Sequence, residues 1–430
     1  MSSPPVSILV NHRCQALAVA HASQLAKEQG ASVEVLCVDT EGDVDARVDA
    51  MRAEWSTLRR DLNLATRFND PERVIRGLEV TARSDDPHDG LPYVVLARSG
   101  ESRALLIGVI ERSALAPLPG PFSKLSPTTT KLESPETGFL VNGGAEVPTL
   151  SSSVIRSALN AGVADRVRLQ NLPEGHEAFA ALTDWDSLDA RGTTQSKIRW
   201  WATLLDSETG ERVDKHSGKT RANLRKRDRR FVEAFDGDAE LECITRPDQI
   251  DQFVEDAVGI IRRTYQAALG IGVQDTEPYR ALLREMADTG ALRGYVMRGG
   301  GVPVAYVLGD RWNDSFTLWA LSFDPEHRKL APGIVALRRV MDSLAAEGVA
   351  RFDFGWGHAE YKKKLGDYHV DEVDISLHSK RPLPTMAFLA GRAARAARAR
   401  ADQTITELGI RDQVKKLWRR KLTMSSRRAR

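Results

Sequence analysis

Residues Arg351–Asp367, RFDFGWGHAEYKKKLGD, decide how the rest of this chain is read. Phe352, Asp353 and Phe354 alternate apolar, polar and apolar after a helix-like run from Gly333 to Glu347, which predicts a buried strand entered from a helix. Gly355 and Gly357 stop that strand. Two glycines around Trp356 permit positive φ and close backbone approach, which suits a strand end opening onto a ligand. Glu360 to Leu365 then predicts a short basic helical turn closed by Gly366. It sets one phenol, Tyr361, beside the ammonium groups of Lys362, Lys363 and Lys364, so a proton donor stands next to an anion-binding surface.

Immediately upstream, Leu292 to Arg298, Pro303 to Gly309 and Ser315 to Phe323 are strand-like runs. The turns Gly299-Gly-Gly301 and Trp312-Asn-Asp314 separate them and predict three consecutive antiparallel strands. These lead into DPEHRKLAPG, residues 324–333, and then into the Gly333 helix. A strand, a basic turn and a helix amino terminus form an anion site on physical grounds alone, because unpaired N–H groups and the helix dipole favour negative charge there. Arg328, Lys329 and Gly333 are its candidate ligands.

Further back, Pro278 to Met286 and Ile250 to Leu269 predict helices, the second with Phe253, Val258, Ile261 and Tyr265 inward. Residues 214–230, DKHSGKTRANLRKRDRR, hold eight Lys/Arg against Asp214 and Asp228. Ser217 or Thr220 caps a helix there whose apolar face is Leu224, Phe231 and Phe235. Its charged surface reads either as a solvated face or as a phosphate or sugar-nucleotide contact. The acidic body and the lack of interleaved aromatics speak against dedicated nucleic-acid binding.

In the first 200 residues, Val6 to Val10 and Val33 to Val38 flank an Ala-rich segment, Gln15 to Gln29, as strand, helix and strand. Val44, Val48, Met51, Trp55, Leu58 and Leu62 form one helical stripe, so Trp55 reads as core. Tyr93 to Ala97 and Ala104 to Ile110 predict a hairpin. Residues 113–150, rich in Pro, Ser, Thr and Gly, predict a long loop, followed by a helix from Ser151 to Ala164 and a strand from Val167 to Leu172.

With 430 residues, the chain favours two domains, and its 42% apolar and 28% charged content is that of a globular protein. Cys14, Cys37 and Cys243 lack metal-ligand spacing, so neither a metal site nor a disulfide framework is expected, and a reducing cytoplasm is. No apolar run reaches the ~18 residues of a spanning helix, and the amino terminus lacks the charged-then-apolar order of a signal peptide. The net charge of +2 is uneven: residues 391–430 carry thirteen Lys/Arg against three acids, 13 − 3 = +10, leaving 2 − 10 = −8 for the body. Val414, Leu417, Trp418 and Leu422 share a helical stripe in that tail. It reads either as a basic amphipathic helix for peripheral contact with the inner membrane face or as solvated chain.

The sequence FDFGWG followed by YKKKLG resembles the F-D-F-G-x-G…Y-K-x-x-x-G signature of the CelD-like acyltransferases. These belong to the GNAT superfamily and are related to the FemAB peptidyltransferases. The resemblance covers about residues 185–380. Ser217 to Arg225, SGKTRANLR, is similar to a segment opening the second domain of FemAB-like proteins, and Thr264-Tyr-Gln266 with Gly270 and Gly272 is similar to a T-Y-Q…G stretch of the CelD-like group. His358 stands where such sequences often carry an acid, and no role is carried to it.

The resemblance implies an α/β fold of mixed sheets in two tandem GNAT-like domains, 1–185 (degenerate) and 186–380, with a basic helical tail over 381–430. It implies acetyl-coenzyme A or another acyl-coenzyme A as co-substrate, held by Arg328, Lys329, Gly333, Gly355 and Gly357, and no metal. The acyl group would pass by direct attack to an amine or hydroxyl of a small-molecule or carbohydrate acceptor, an envelope or exopolysaccharide precursor. Tyr361 would protonate the leaving thiolate, its pKa lowered by the neighbouring lysines, with Asp353 alongside; Tyr361 also reads as a packed phenol. Lys219, Arg221, Asn223, Lys362 and Lys363 would contact substrate. A FemAB-like aminoacyl transferase using aminoacyl-tRNA and a non-catalytic envelope-assembly protein are the alternatives.

Overall fold

The computed structural model describes residues 6–30, 32–38, 46–62, 66–83, 90–114, 128–264 and 272–407. Its first elements are β1 (Val6–Asn11), α1 (Gln15–Gln29), β2 (Val33–Val38), α2 (Ala46–Asp61), α3 (Pro71–Arg83), β3 (Leu91–Ser99) and β4 (Ser102–Ala114). Then come β5 (Thr128–Ser134), β6 (Phe139–Asn142), α4 (Val147–Asn160), β7 (Arg166–Pro173), α5 (Phe179–Thr183) and β8 (Ala190–Thr203). The later half holds α6 (Gly218–Glu233), β9 (Ala239–Ile244), α7 (Ile250–Ile261), α8 (Glu277–Asp288), β10 (Leu292–Gly299), β11 (Val302–Trp312) and β12 (Ser315–Phe323). It ends with α9 (Pro332–Ala346), β13 (Arg351–Trp356), α10 (Glu360–Leu365), β14 (Tyr368–Ser379) and α11 (Pro382–Glu407).

Two compact units result. The first contains Met1–Lys197 with Asp371–Ala399, and the second contains Ile198–Val370. The sequence had placed the boundary at 185 and 186 and kept residues up to 380 in the second domain. The difference arises because β8 and β14 each run through a junction. The later part of β8 pairs antiparallel with β13, while the later part of β14 pairs antiparallel with β7.

In the first unit the strand order is β2, β1, β3, β4, β5, β7 and then β14. The β3-β4-β5 meander is antiparallel, and β5 pairs parallel with β7 across α4. In the second unit the order is β8, β13, β12, β11, β10, β9. There β10, β11 and β12 form the expected antiparallel meander, and β12 pairs parallel with β13 across α9. A meander, a helix and a parallel strand thus occur in the same order twice, the mixed α/β architecture expected of tandem GNAT-like domains.

Local expectations hold where the periodicity was strong. Trp55 is fully buried and its indole N–H donates to the Asn69 carbonyl at 2.9 Å, which is a core role. Ser217 caps α6 by accepting from the Thr220 N–H at 3.2 Å, and Phe231 is its buried anchor. Two expectations are corrected. Within the loop expected over 113–150, residues 128–142 form β5 and β6 and α4 starts at Val147, ahead of the expected Ser151, because Leu132 and Ser134 turn inward as β5 pairs with β4. Helix α7 ends at Ile261, eight residues short of Leu269 (269 − 261), and Tyr265 lies outside the described residues. The basic tail expected to be helical begins as α11, Pro382–Glu407, and the stripe from Val414 to Leu422 lies outside the described residues. No described helix is long and apolar enough to cross a membrane.

The core of the second unit is centred on Phe352. Its ring lies 4.8 Å from Phe316 on β12 and 4.6 Å from Phe354 on its own strand, and the cluster extends to Val335, Ala336, Leu337 and Val340 on α9. Phe352→Ala should therefore lower unfolding stability by roughly 3–5 kcal/mol, the usual range for truncating a buried aromatic, measured by urea denaturation.

Candidate active site

Strands β12 and β13 are joined as parallel neighbours over only three residue pairs, Ser315 with Arg351, Phe316 with Phe352 and Thr317 with Asp353. Beyond these the paired register stops. Each strand then carries a bulge: Gly309 of β11 faces Leu318 while Leu308 faces Ala320, which leaves Trp319 as the extra residue, and Phe354 is extra between Asp353 and Gly355. A bulge bends its strand and strengthens the local twist, so two of them at one place drive the strands apart. The opening is a cavity of about 980 Å³.

One end of the cavity is the turn entering α9. Asp324, almost fully buried, accepts from the Glu326 N–H at 3.0 Å and pairs with Arg263, which fixes the turn's start. Ala331 closes it at φ 55°, a left-handed conformation that costs a non-glycine residue strain. Pro332 then presets the first turn of α9. Gly333 lies in close quarters, since a Cβ there would be 3.2 Å from the Phe323 ring, tighter than an ordinary contact. Arg328, exposed, and Gly333 both line the cavity, while Lys329 is exposed outside it.

The other end is the turn after β13. Gly355 has φ 69° and Gly357 has φ 104°, so the positive backbone angles expected of both are present. Asp353 does not reach the cavity. Fully buried, it pairs with the Arg199 guanidinium and accepts from the Gly355 N–H at 2.7 Å. A buried carboxylate that accepts from both the guanidinium and the turn's N–H fixes the bulge and the glycine behind the cavity wall. Lys362, 8% exposed, donates its ammonium to the Trp356 carbonyl and folds α10 back over the turn. Burial lowers its pKa, and the nearby Asp353 carboxylate acts in the opposite direction.

Tyr361 lines the cavity between these ends, half-buried, with its ring edge-on to Phe354 at 6.3 Å. Burial pushes its phenol up to about 12. The expected lowering by neighbouring lysines is thus reversed. Lys363 and Lys364 project to solvent and Lys362 is turned toward Trp356, so desolvation of the phenolate is the larger effect.

The structure therefore brings Arg328, Gly333, Gly355, Tyr361 and Lys362 around one cavity. Lys329, Asp353, Gly357 and Lys363 do not line it, and neither do Lys219, Arg221 and Asn223, which are on α6 with Arg221 and Asn223 exposed. Sequence reasoning missed Thr264, Tyr306 and Trp319 as lining residues, and missed Arg199 as the partner of Asp353. The signal for the last was available: Arg199 and Asp353 are single opposite charges within the apolar runs Ile198–Trp201 and Phe352–Phe354. Among the described residues, no group of three or more His, Cys, Asp and Glu side chains could hold a metal ion.

Removing one member of a buried ion pair leaves the other charge uncompensated. Asp353→Ala should lower stability by about 3–5 kcal/mol in urea unfolding, and the double variant Asp353→Leu with Arg199→Met should recover much of that loss.

Comparison with known proteins follows the same division. Residues 218–363 match the family model described as an acetyltransferase (GNAT) domain. No curated protein sequence matches the chain. Among solved structures, the C-terminal domain (DUF2156) of a putative lysylphosphatidylglycerol synthetase from Agrobacterium fabrum is 12% identical at TM-score 0.45, over 79% of this chain and 96% of that one. FemX is 10% identical at TM-score 0.47, over 69% and 90%. A GCN5-related N-acetyltransferase from Sphaerobacter thermophilus is 10% identical at TM-score 0.37, over 89% and 98%. The matched segment, 218–363, carries the α9 turn, both bulged strands and Tyr361, and what it matches is an acetyltransferase domain of the GNAT type.

Proposed function

We propose that this protein transfers an acyl group from acyl-coenzyme A to an amine or hydroxyl of a carbohydrate or cell-envelope precursor, as CelD-like acyltransferases of exopolysaccharide clusters do. The single observation that carries this reading is the wedge between β12 and β13, with a helix amino terminus and Arg328 at one end and a phenol at the other. A pantetheine arm is a narrow chain with two amides. The opened strand edges supply backbone groups to pair with those amides, in the way a peptide adds to a sheet edge. The pyrophosphate would lie at the start of α9, where helix N–H groups, the dipole and Arg328 favour negative charge.

The acceptor nitrogen or oxygen forms a bond to the thioester carbonyl carbon and gives up its proton to water, while the C–S bond breaks and coenzyme A leaves as the thiolate. With its pKa near 12, Tyr361 is fully protonated at neutral pH. Complete proton transfer from it to a thiolate, whose ordinary pKa is about 8.5, is uphill. The phenol instead donates a hydrogen bond to sulfur as the charge develops, in a half-buried site where such a bond is strong. Lys362 contributes position, not charge: its bond to the Trp356 carbonyl seats the turn that carries Tyr361.

A second reading, transfer of an aminoacyl group from aminoacyl-tRNA, is favoured by one observation, the exposed Arg221, Arg225, Lys226 and Arg229 on α6. Comparing activity with acyl-coenzyme A and with aminoacyl-tRNA separates the two.

Tyr361→Phe should reduce turnover by roughly 10²–10³-fold, the cost of losing one aimed donor, while coenzyme A affinity and thermal stability stay within error. The pH dependence has a defined sign. Because burial raises the Tyr361 pKa, the native state holds that proton between the ordinary value of 10 and about 12, where an unfolded chain has lost it. Any stability it contributes is complete below pH 10 and declines as pH rises toward 12. An alkaline limb of the rate profile below pH 10 should therefore be the same in wild type and Tyr361→Phe; a limb there that vanishes in the variant would refute this role.

A further inference from the structure

Trp356 lines the cavity and is also 40% exposed, and an aromatic strip continues away from it. Phe352 and Phe354 face the core cluster shared with α9. In the antiparallel register of β13 with β8, Asp353 stands opposite Trp201 and Trp356 opposite Arg199. Facing residues share a sheet face, so Arg199, Trp201 and Trp356 lie on the side away from α9. The Arg199 guanidinium is 4.9 Å from the Trp201 ring and 5.2 Å from the Trp356 ring, filling the space between them. Tyr368, 37% exposed, holds its ring parallel to Trp201 within 6° at 6.3 Å.

We propose that Trp356, Trp201 and Tyr368, with the buried Arg199 packed between the two indoles as their support, form a stacking platform for the pyranose rings of a carbohydrate acceptor, leading one of its hydroxyl or amino groups to the cavity. This deepens the acyl-transfer reading and rests on it for the identity of the bound molecule as acceptor. A sugar ring presents a face of C–H groups that is apolar and slightly positive, and an aromatic face is apolar with a negative quadrupole, so the two pack by both criteria. Hydroxyls at the ring's edge remain free for polar partners.

The charge balance selects sugar over nucleic acid. A guanidinium among aromatics also suits a nucleobase, but a polynucleotide needs surplus cations for its phosphates. Here Arg199 is paired with Asp353, and Arg351, 6.0 Å from the Trp201 ring, is paired with Asp314 at 2.9 Å. Asp367, beside Tyr368, faces Lys215 at 3.4 Å. The strip is close to electrically neutral. It also sits across the sheet from the α9 turn, so a saccharide on it and a thioester in the wedge approach the same opening from opposite faces.

The test is calorimetric titration of the full chain with cellohexaose and chitohexaose, and separately with coenzyme A. Saturable binding of at least one saccharide is expected. Trp201→Ala and Tyr368→Ala should each weaken it roughly three- to tenfold, the size of one aromatic contact, while Tyr368→Phe retains it. Coenzyme A affinity should be unchanged in all three, which also reports that the variants are folded. Saccharide binding without coenzyme A binding would uphold the platform and reject acyl transfer from coenzyme A. Coenzyme A binding with no saccharide heat, saccharide binding unaffected by Tyr368→Ala, or displacement of saccharide by an oligonucleotide ending in CCA would overturn the platform.

Discussion

The Asp353 carboxylate, buried to zero exposure, holds the second unit's working end in place. Its two oxygens are used in different directions. One meets Arg199 on the neighbouring strand, and the other accepts from the Gly355 N–H two residues ahead. A lone carboxylate at that depth would be untenable, and a carboxylate satisfied on both sides is a rigid joint. From that joint follow the bulge at Phe354, the positive φ at Gly355 and the departure of β13 from β12 after three paired residues. Arg199, fixed by the same contact, is the cation between the Trp201 and Trp356 rings.

Separation of the two strands is the structural basis of the proposed chemistry. A parallel pair that stayed in register would hydrogen-bond its own edges and leave no room for a ligand. Because both strands bulge at the same level, each keeps its outer neighbour, β11 or β8, while opening its inner edge. The cost in lost pairing is offset by the aromatic stack of Phe316, Phe352 and Phe354, which holds the strands together below the opening. Tyr361 is then carried into the wedge by a single helical turn, α10, whose Lys362 anchors to Trp356.

Much of this was legible in the sequence, for reasons that differ by element. The meander of β10 to β12, the α9 helix and the β13 strand follow from alternation, 3.6-residue periodicity and glycine turns, all of them local signals. Gly355, Gly357 and Gly333 were identified from the same kind of signal, and Arg328 from a basic turn before a helix. Long-range facts were legible only as hints: the lone charges Arg199 and Asp353 in apolar runs mark two buried ions without showing that they pair. The pairing of Arg199 with Asp353 joins residues 154 apart, and the Trp319 bulge depends on its neighbour's register. The exchange of final strands, β8 to β13 and β14 to β7, moved the unit boundaries in a way no local pattern encodes. The pKa direction at Tyr361 failed for a related reason: adjacency in sequence put three lysines beside the phenol, whereas the short helix of α10 turned them elsewhere.

The central claim is that the wedge between β12 and β13 holds an acyl-coenzyme A. Calorimetric titration of the full chain with acetyl-coenzyme A measures this most directly, with Arg328→Ala as the companion. One saturable site is predicted, weakened about tenfold or more in the variant, as expected for the loss of one charge-assisted contact to the pyrophosphate. Absence of saturable heat with acetyl-coenzyme A and with longer acyl thioesters, in a chain shown to be folded, would contradict the account.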